Sequence, residues 1–324
     1  MQNRPDTYVL AADVGGTNTR MAVVSGDGEI HALLKKPTRC KEGKEAMLQF
    51  LLSFMREIIR KSELPCEEIA GAGVGFPGPL DAETGIIFNP PNLTGWDGIP
   101  LRRILEDELK MPVSIENDAN AAALGEWWKG AGAGTNSFIC ITLGTGVGGG
   151  IILDGRLWYG ASGMAGEIGH TTIIRNGIKC TCGNSGCLEA YASARGIIDR
   201  VQNVLSERGD KRGIRECLTL ERISSMASQG NEMIGSIIRE TGIILGIAVA
   251  NIANLLNPEM VALFGGVTNL GETLFKPMRE EVKKRAFEKA TEPLKIEVAK
   301  LGDNSGILGA AKSILLRISD SERA

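Results

Sequence analysis

Two rhythms of apolar and polar positions run along the chain. Residues 41–64 and 191–260 repeat at helical spacing, as in Met47, Leu51, Phe54, Met55, Ile58 and Ile59. Around them stand short apolar, β-rich runs at 8–12, 21–24, 69–74, 113–115, 138–143, 150–153 and 260–264. The mixture predicts an α/β protein. Residues 9–24 and 139–153 share one grammar of strand, glycine-rich turn and strand, which makes an antiparallel hairpin and not a βαβ crossover. Two such openings predict two similar α/β lobes facing a cleft, with a boundary near Asp118. Residues 309–318 read as a last helix able to pack back onto the first lobe. No repeat and no low-complexity linker is evident.

A length of 324 residues fits about two domains. Lys and Arg number 36 against 39 Asp and Glu, a net charge of −3, and no dense basic run draws the chain to nucleic acid or to an anionic membrane. The apolar stretch 243–250 stops at Asn251, well short of the roughly 20 residues that span a bilayer. Arg4 and Asp6 leave too little apolar sequence before Asp13 for a secretory signal, so a cytoplasmic location is expected. Of seven cysteines, Cys180, Cys182 and Cys187 crowd together while the others scatter, which fits reduced thiols plus one metal site.

Glycine is abundant and uneven: 42 in all, 17 of them within 125–186. Residues 73–78 and 144–149 both spell G-x-G-x-x-G, yet neither opens the helix that a dinucleotide site requires, and no P-loop is present. What remains is Asp13-Val14-Gly15-Gly16-Thr17-Asn18-Thr19-Arg20. Its backbone N–H groups can form an anion nest, with Asp13 placed to hold hydrated Mg²⁺, although a plain hairpin turn would read the same way. The second turn decides for a ligand. Five glycines in the seven positions 144–150 weaken a strand with no return in packing unless ligand atoms approach the backbone.

Asp118 ends a strand and enters an Ala-rich helix, either as an N-cap or as a general base with Asn117 beside it to bond a polyol. Glu167 and His170, followed by Cys180, Cys182 and Cys187, supply a Cys₃His set for a tetrahedral, structural Zn²⁺. The second ring nitrogen of His170 is then free to donate to a hydroxyl, with Glu167 and Glu189 near it. The other histidine, His31, is read as a loop residue.

In this order the segments 13–17, 73–79, 117–126, 143–170, 180–189, Gly265-Gly266-Val267 and 301–311 resemble the ROK family of sugar kinases and sugar-responsive regulators. The resemblance implies an actin-like, hexokinase-like (ribonuclease H-like) two-lobed α/β fold, commonly a homodimer or a dimer of dimers. Residues 1–118 with 302–324 would form the small lobe, and 119–301 the large lobe carrying the zinc loop. It implies transfer of the γ-phosphoryl of ATP, with Mg²⁺, to a hexose. Asp118 then corresponds to the base at the sugar 6-hydroxyl, and Asn117, Glu167, His170 and Glu189 to ring-hydroxyl ligands. Gly78 adds backbone contacts to the sugar, with Asn92 a weaker match. Asp13, Gly16, Thr17, Thr145 and Gly146 resemble the phosphate loops, and Gly265 and Gly266 the adenosine loop. Residues 126–132 and 166–170 look most like bacterial glucokinases, while N-acetylmannosamine, N-acetylglucosamine and fructose kinases share the skeleton. Repressors of the family carry a helix-turn-helix ahead of the phosphate loop, and with 12 residues before Asp13 none is expected here.

Overall fold

The first two apolar runs pair as β1 (Tyr8–Val14) and β2 (Asn18–Ser25), with Tyr8 opposite Ser25 and Val14 opposite Thr19. The structure is a computed structural model that describes residues 7–39, 42–88, 90, 93–207 and 218–322, so Asn92 lies outside the described residues. An edge strand β3 (Ile30–Pro37) and helix α1 (Lys44–Ser62) follow, then β4 (Ile69–Phe76). Next come a small sheet of β5 (Leu80–Asp81), β6 (Ile86–Ile87) and β7 (Ile99–Pro100), helix α2 (Leu101–Leu109), and β8 (Val113–Asn117). The first sheet runs β3-β2-β1-β4-β8, antiparallel through the hairpins and parallel from β1 onward.

The pattern then repeats. Helix α3 (Asp118–Lys129) leads to β9 (Phe138–Leu143), β10 (Val147–Leu153) and β11 (Arg156–Leu157). After the cysteine loop come α4 (Glu189–Ala192), α5 (Ala194–Glu207), α6 (Leu220–Ser228) and α7 (Glu232–Leu256). β12 (Met260–Phe264), α8 (Glu272–Arg285), α9 (Glu288–Thr291), β13 (Lys295–Val298) and α10 (Ser305–Ser321) complete the chain. The second sheet runs β11-β10-β9-β12-β13 with the same sequence of strand directions as the first.

Side-chain alternation on each sheet explains the layers, because neighbouring strand residues face opposite ways. On β1, Leu10, Ala12 and Val14 pack with Phe50, Phe54 and Met55 of α1, while Val9 and Ala11 face Ile307, Ala310 and Ile314 of α10. In the second sheet Ile139 and Ile141 join the large core under α5, α7 and α8, and Phe138 and Cys140 face Ala123 and Leu124 of α3. Each fully buried large side chain stabilises the fold by about 1.5–3 kcal/mol relative to exposure.

Helices α3 and α10 pack backbone against backbone. A Cβ on Gly309 would stand 1.6 Å from the Ala121 carbonyl oxygen, and one on Gly125 would stand 2.1 Å from that of Ser305. Glu126, fully buried on α3, ties the two crossings together: it accepts from the N–H groups of Ala131, Lys300 and Leu301 and from the Ser305 hydroxyl.

Two expectations need correction. His31 lies on β3, its ring edge-to-face with Tyr8 at 4.8 Å; an edge strand buries alternate residues only partly and so lacks an apolar run. The run 243–250 belongs to the 25-residue α7, which is long and apolar enough to cross a membrane by composition, with a mean hydropathy of 1.7. Helical geometry carries Asn251 without a break, and 67% of the helix's apolar window is buried in the second core.

Candidate functional site

The junction of β8 and α3 forms from three consecutive polar residues with distinct tasks. Glu116 is buried and accepts from the Tyr159 hydroxyl at 2.6 Å, the Asn120 amide at 3.1 Å and the Asn117 N–H at 2.9 Å. Burial pushes its carboxyl above the usual range against the pull of those bonds. Asn117 is the N-cap, its Oδ1 accepting from Ala119 and Asn120, so the capping alternative for Asp118 falls away. The Asn117 Nδ2 also donates to the Gly78 carbonyl at 3.2 Å, which ties the positive-φ turn at Gly78 to the junction.

Asp118 is thereby the first helical residue. Water reaches its side chain, yet protein surrounds it on most sides, and that desolvation raises the carboxyl to about 6. The Ala119 N–H bond opposes the rise and the neighbouring Glu167 charge adds to it. Asp13, at the end of β1, is also raised to about 6, first by desolvation and then by the charge of Asp118, with Arg20 opposing and Asp303 adding. A Cβ on Gly306 of α10 would meet the Asp13 carboxyl at 2.6 Å, so the carboxylate lies directly against the backbone of α10.

The two hairpin turns flank this junction. Gly16 has open space around it, and Gly16 and Thr17 are exposed. In the second turn Gly144 and Thr145 are likewise exposed, whereas Gly146 lies against Glu189, whose Oε2 accepts the Val147 N–H at 2.9 Å. Gly265, at φ 116, lies against the Leu143 carbonyl, and Gly266 is exposed beside it.

The glycines of β10 correct the expectation that ligand approach explains all five. A Cβ on Gly148 would meet Ala119, on Gly149 Ile168, and on Gly150 Ala123 at 2.3 Å. Their return is packing: they let α3 and the 166–168 segment lie directly on the strand, and only Gly144 faces open space.

His170, Cys180, Cys182 and Cys187 bring their donor atoms within 4.8 Å of one another. A tetrahedral zinc site with Zn–S bonds of about 2.3 Å separates its sulfurs by about 3.8 Å. Cys182 and Cys187 Sγ are 3.7 Å apart, and Cys180 Sγ stands 3.8 Å from His170 Nδ1, so the set fits such an ion. His170 Nε2 points the other way, 3.9 Å from Glu167. Glu189 Oε1 faces Cys180 at 3.8 Å and Thr181 Oγ1 at 3.4 Å, which links the cluster to the second turn. The residues singled out in the sequence thus form one chain of neighbours: Gly78, Asn117, Asp118, Glu167, His170, Cys180, Glu189, Gly146 and, through Leu143, Gly265.

Sequence comparison accords with this geometry: the profile of the ROK family matches residues 9–316. The chain belongs to the ROK family. It is 38% identical over 313 residues to a glucokinase of Halalkalibacterium halodurans, covering 94% of each chain. It is 37% identical to a xylose repressor of Caldicellulosiruptor bescii, covering 97% of this chain and 79% of the repressor. The ROK family glucokinase of Streptomyces griseus, solved in complex with glucose and AMPPNP, superposes with a TM-score of 0.78 at 31% identity, covering 94% of this chain and 98% of that one. The actin-like, two-lobed ROK fold expected from the sequence is the fold found.

Glu116 with Tyr159, and Glu126 with Ser305, escaped the reading of the sequence as a pair and a clamp. Their partners lie 43 and 179 residues away, and no local spacing announces them.

Proposed function

We propose that this ROK protein is an ATP-dependent hexose 6-phosphotransferase with glucose as acceptor. The observation that carries the reading is Asp118: a carboxylate at the junction of the two lobes, open to water, raised to about 6 and bordered by Glu167 and Asp13. A base of that pKa is mostly ionised at neutral pH and still accepts a proton readily. Asp118 removes the proton of the sugar 6-hydroxyl as its oxygen bonds to the γ-phosphorus, and the bond from that phosphorus to the β–γ bridging oxygen breaks to release ADP. Glu167, His170, Glu189, the remaining Asn117 amide hydrogen and the Gly78 turn orient the ring hydroxyls. Gly16, Thr17, Thr145 and Gly146 receive the phosphates, and Gly265 and Gly266 the adenosine.

Asp13 suits a hydrated Mg²⁺, since its hard carboxylate oxygens stand near the charges of Asp118 and Asp303, which Arg20 opposes. When bound, that ion neutralises charge on the triphosphate. The cysteine cluster with four protein donors leaves a zinc ion no open position and so serves structure. Residues 1–118 with 302–324 close on 119–301 to exclude water.

Similarity to a xylose repressor supports a second reading, a sugar-responsive regulator. ADP formation measured against glucose, N-acetylmannosamine, N-acetylglucosamine, fructose, mannose and no sugar separates the two. Glucose-dependent turnover is expected; turnover independent of sugar, or none, overturns the kinase reading.

A further inference from the structure

Thr38, the first residue after β3, lies beside the first hairpin turn although it is 20 residues beyond Asn18 in sequence. Its hydroxyl donates to the Gly15 carbonyl at 2.7 Å, and its N–H donates to the Thr17 carbonyl at 2.9 Å. The Thr38 oxygen is also 3.0 Å from the Thr19 hydroxyl, which is fully buried. Because the Thr38 proton goes to Gly15, the Thr19 proton goes to Thr38, and the relay is satisfied at every step.

We infer that Thr38 is a positioning residue that makes the turn at Gly15–Thr17 an anion nest, an inference that rests on the kinase reading above. No cis peptide bond is present among the described residues, and in a trans peptide the carbonyl of one residue and the N–H of the next point in opposite directions. Drawing the Gly15 and Thr17 carbonyls toward Thr38 therefore turns the N–H groups of Gly16 and Asn18 away from it. Two carbonyl oxygens that would repel a phosphate are held back, and two donors are presented. The Thr17 carbonyl is held by the Thr38 backbone N–H, which a valine or serine there keeps, whereas among the described residues the Gly15 carbonyl is held by the Thr38 side chain.

The test is Thr38→Val, which keeps the shape and removes the hydroxyl, beside Thr38→Ser, which keeps the hydroxyl. Thr38→Val is expected to raise the KM for ATP about tenfold, the loss of one anchoring hydrogen bond, and to weaken ATP binding equally in calorimetry without sugar. The hexose KM and kcat stay within about twofold, and Thr38→Ser restores the ATP KM. An unchanged ATP KM in Thr38→Val overturns the inference, as does a parallel rise in both KM values or a failure of Thr38→Ser to restore. Gly16→Val, placed in open space on the same turn, separates this failure from failure of the phosphate reading. If Gly16→Val impairs ATP binding and Thr38→Val does not, the role of Thr38 alone falls. If neither does, the turn is not a phosphate site and both readings fall together.

Discussion

The two hairpin turns occupy the same place in sheets of the same order, yet they are held by different means. The first turn is anchored by Thr38 at the end of the eight-residue strand β3, a partner that arrives with the sheet itself. Among the described residues the second has no such strand-end partner, and its third strand β11 is only two residues long. It is held instead by Glu189, which grips the Val147 N–H while facing Cys180, and by the Ala194 N–H on the Gly144 carbonyl. A duplicated fold thus supplies the same turn twice and leaves its rigidity to whatever each lobe adds. In the second lobe that addition is the cysteine loop, whose Cys180 faces the same Glu189.

The lobes also differ where the chain leaves them. β8 exits through Asp118, and β13 exits toward Ser305, whose hydroxyl is spent on Glu126 at 2.7 Å. Asp118→Asn should lower kcat by about 10²–10⁴-fold while retaining glucose binding, as expected for loss of a general base. Ser305→Ala should leave kcat in place and cost about 1–2 kcal/mol of stability in urea unfolding, since a buried carboxylate loses a donor. Near-normal turnover in Asp118→Asn would erase the functional difference between the exits.

Glycine offers the next test, because its two uses make opposite predictions. Gly125→Ala sets a Cβ 2.1 Å from the Ser305 carbonyl oxygen and should lower unfolding stability by about 3 kcal/mol. Gly144→Ala meets nothing within 4 Å and should keep stability while altering the KM for ATP. Denaturant midpoints and ATP kinetics on the two variants check both halves. Equal stability loss in the two would mean that ligand-facing and packing glycines are not distinct classes.

This division marks how far the sequence could be read. Buried strands such as β1, β9 and β12 declare themselves as apolar runs, and the hairpin grammar anticipated both turns. The edge strands β3 and β13 did not, since no residue of either is fully buried and Lys35, Lys36 and Glu297 interrupt their apolar positions as in a loop. The motif residues near Asp118 and the cysteines were visible because each group is contiguous or closely spaced. What Gly148, Gly149 and Gly150 touch was not, because the helix and the 166–168 segment laid against them are facts of tertiary contact. The Asn117 cap shows the same limit at one residue's resolution: Asn and Asp are both good N-caps, and only the strand end decides which of the two takes the place.

Metal removal bears directly on the two anchors. Cys182→Ser, or a strong chelator, should release one metal ion per chain and raise the sugar KM about tenfold or more as His170 loses its orientation. Because Glu189 also holds the second turn, the ATP KM should rise with it, by a smaller factor. The first turn, anchored by Thr38, should not respond: hydrogen exchange at Gly16 and Thr17 stays unchanged while protection at Val147 falls. Equal loosening of both turns would refute separate anchoring, and a metal-free chain with an unchanged sugar KM would remove the cluster from the sugar site.

The smallest effect concerns the two carboxylates that meet across the junction. Desolvation raises both Asp118 and Asp13 to about 6, so each loses its charge as the pH falls through that value. In the proposed reaction only ionised Asp118 accepts the hydroxyl proton, and kcat/KM should therefore be flat above pH 7 and fall below about pH 6, about tenfold per unit for one group and more steeply if Asp13 must also be charged. The Glu167 charge contributes to the rise at Asp118. Glu167→Gln should then move the Asp118 midpoint to lower pH, whatever it does to sugar affinity. A pH profile of the variant with an unmoved acid limb would assign that limb to Asp13, on the side of the cleft that holds the first turn.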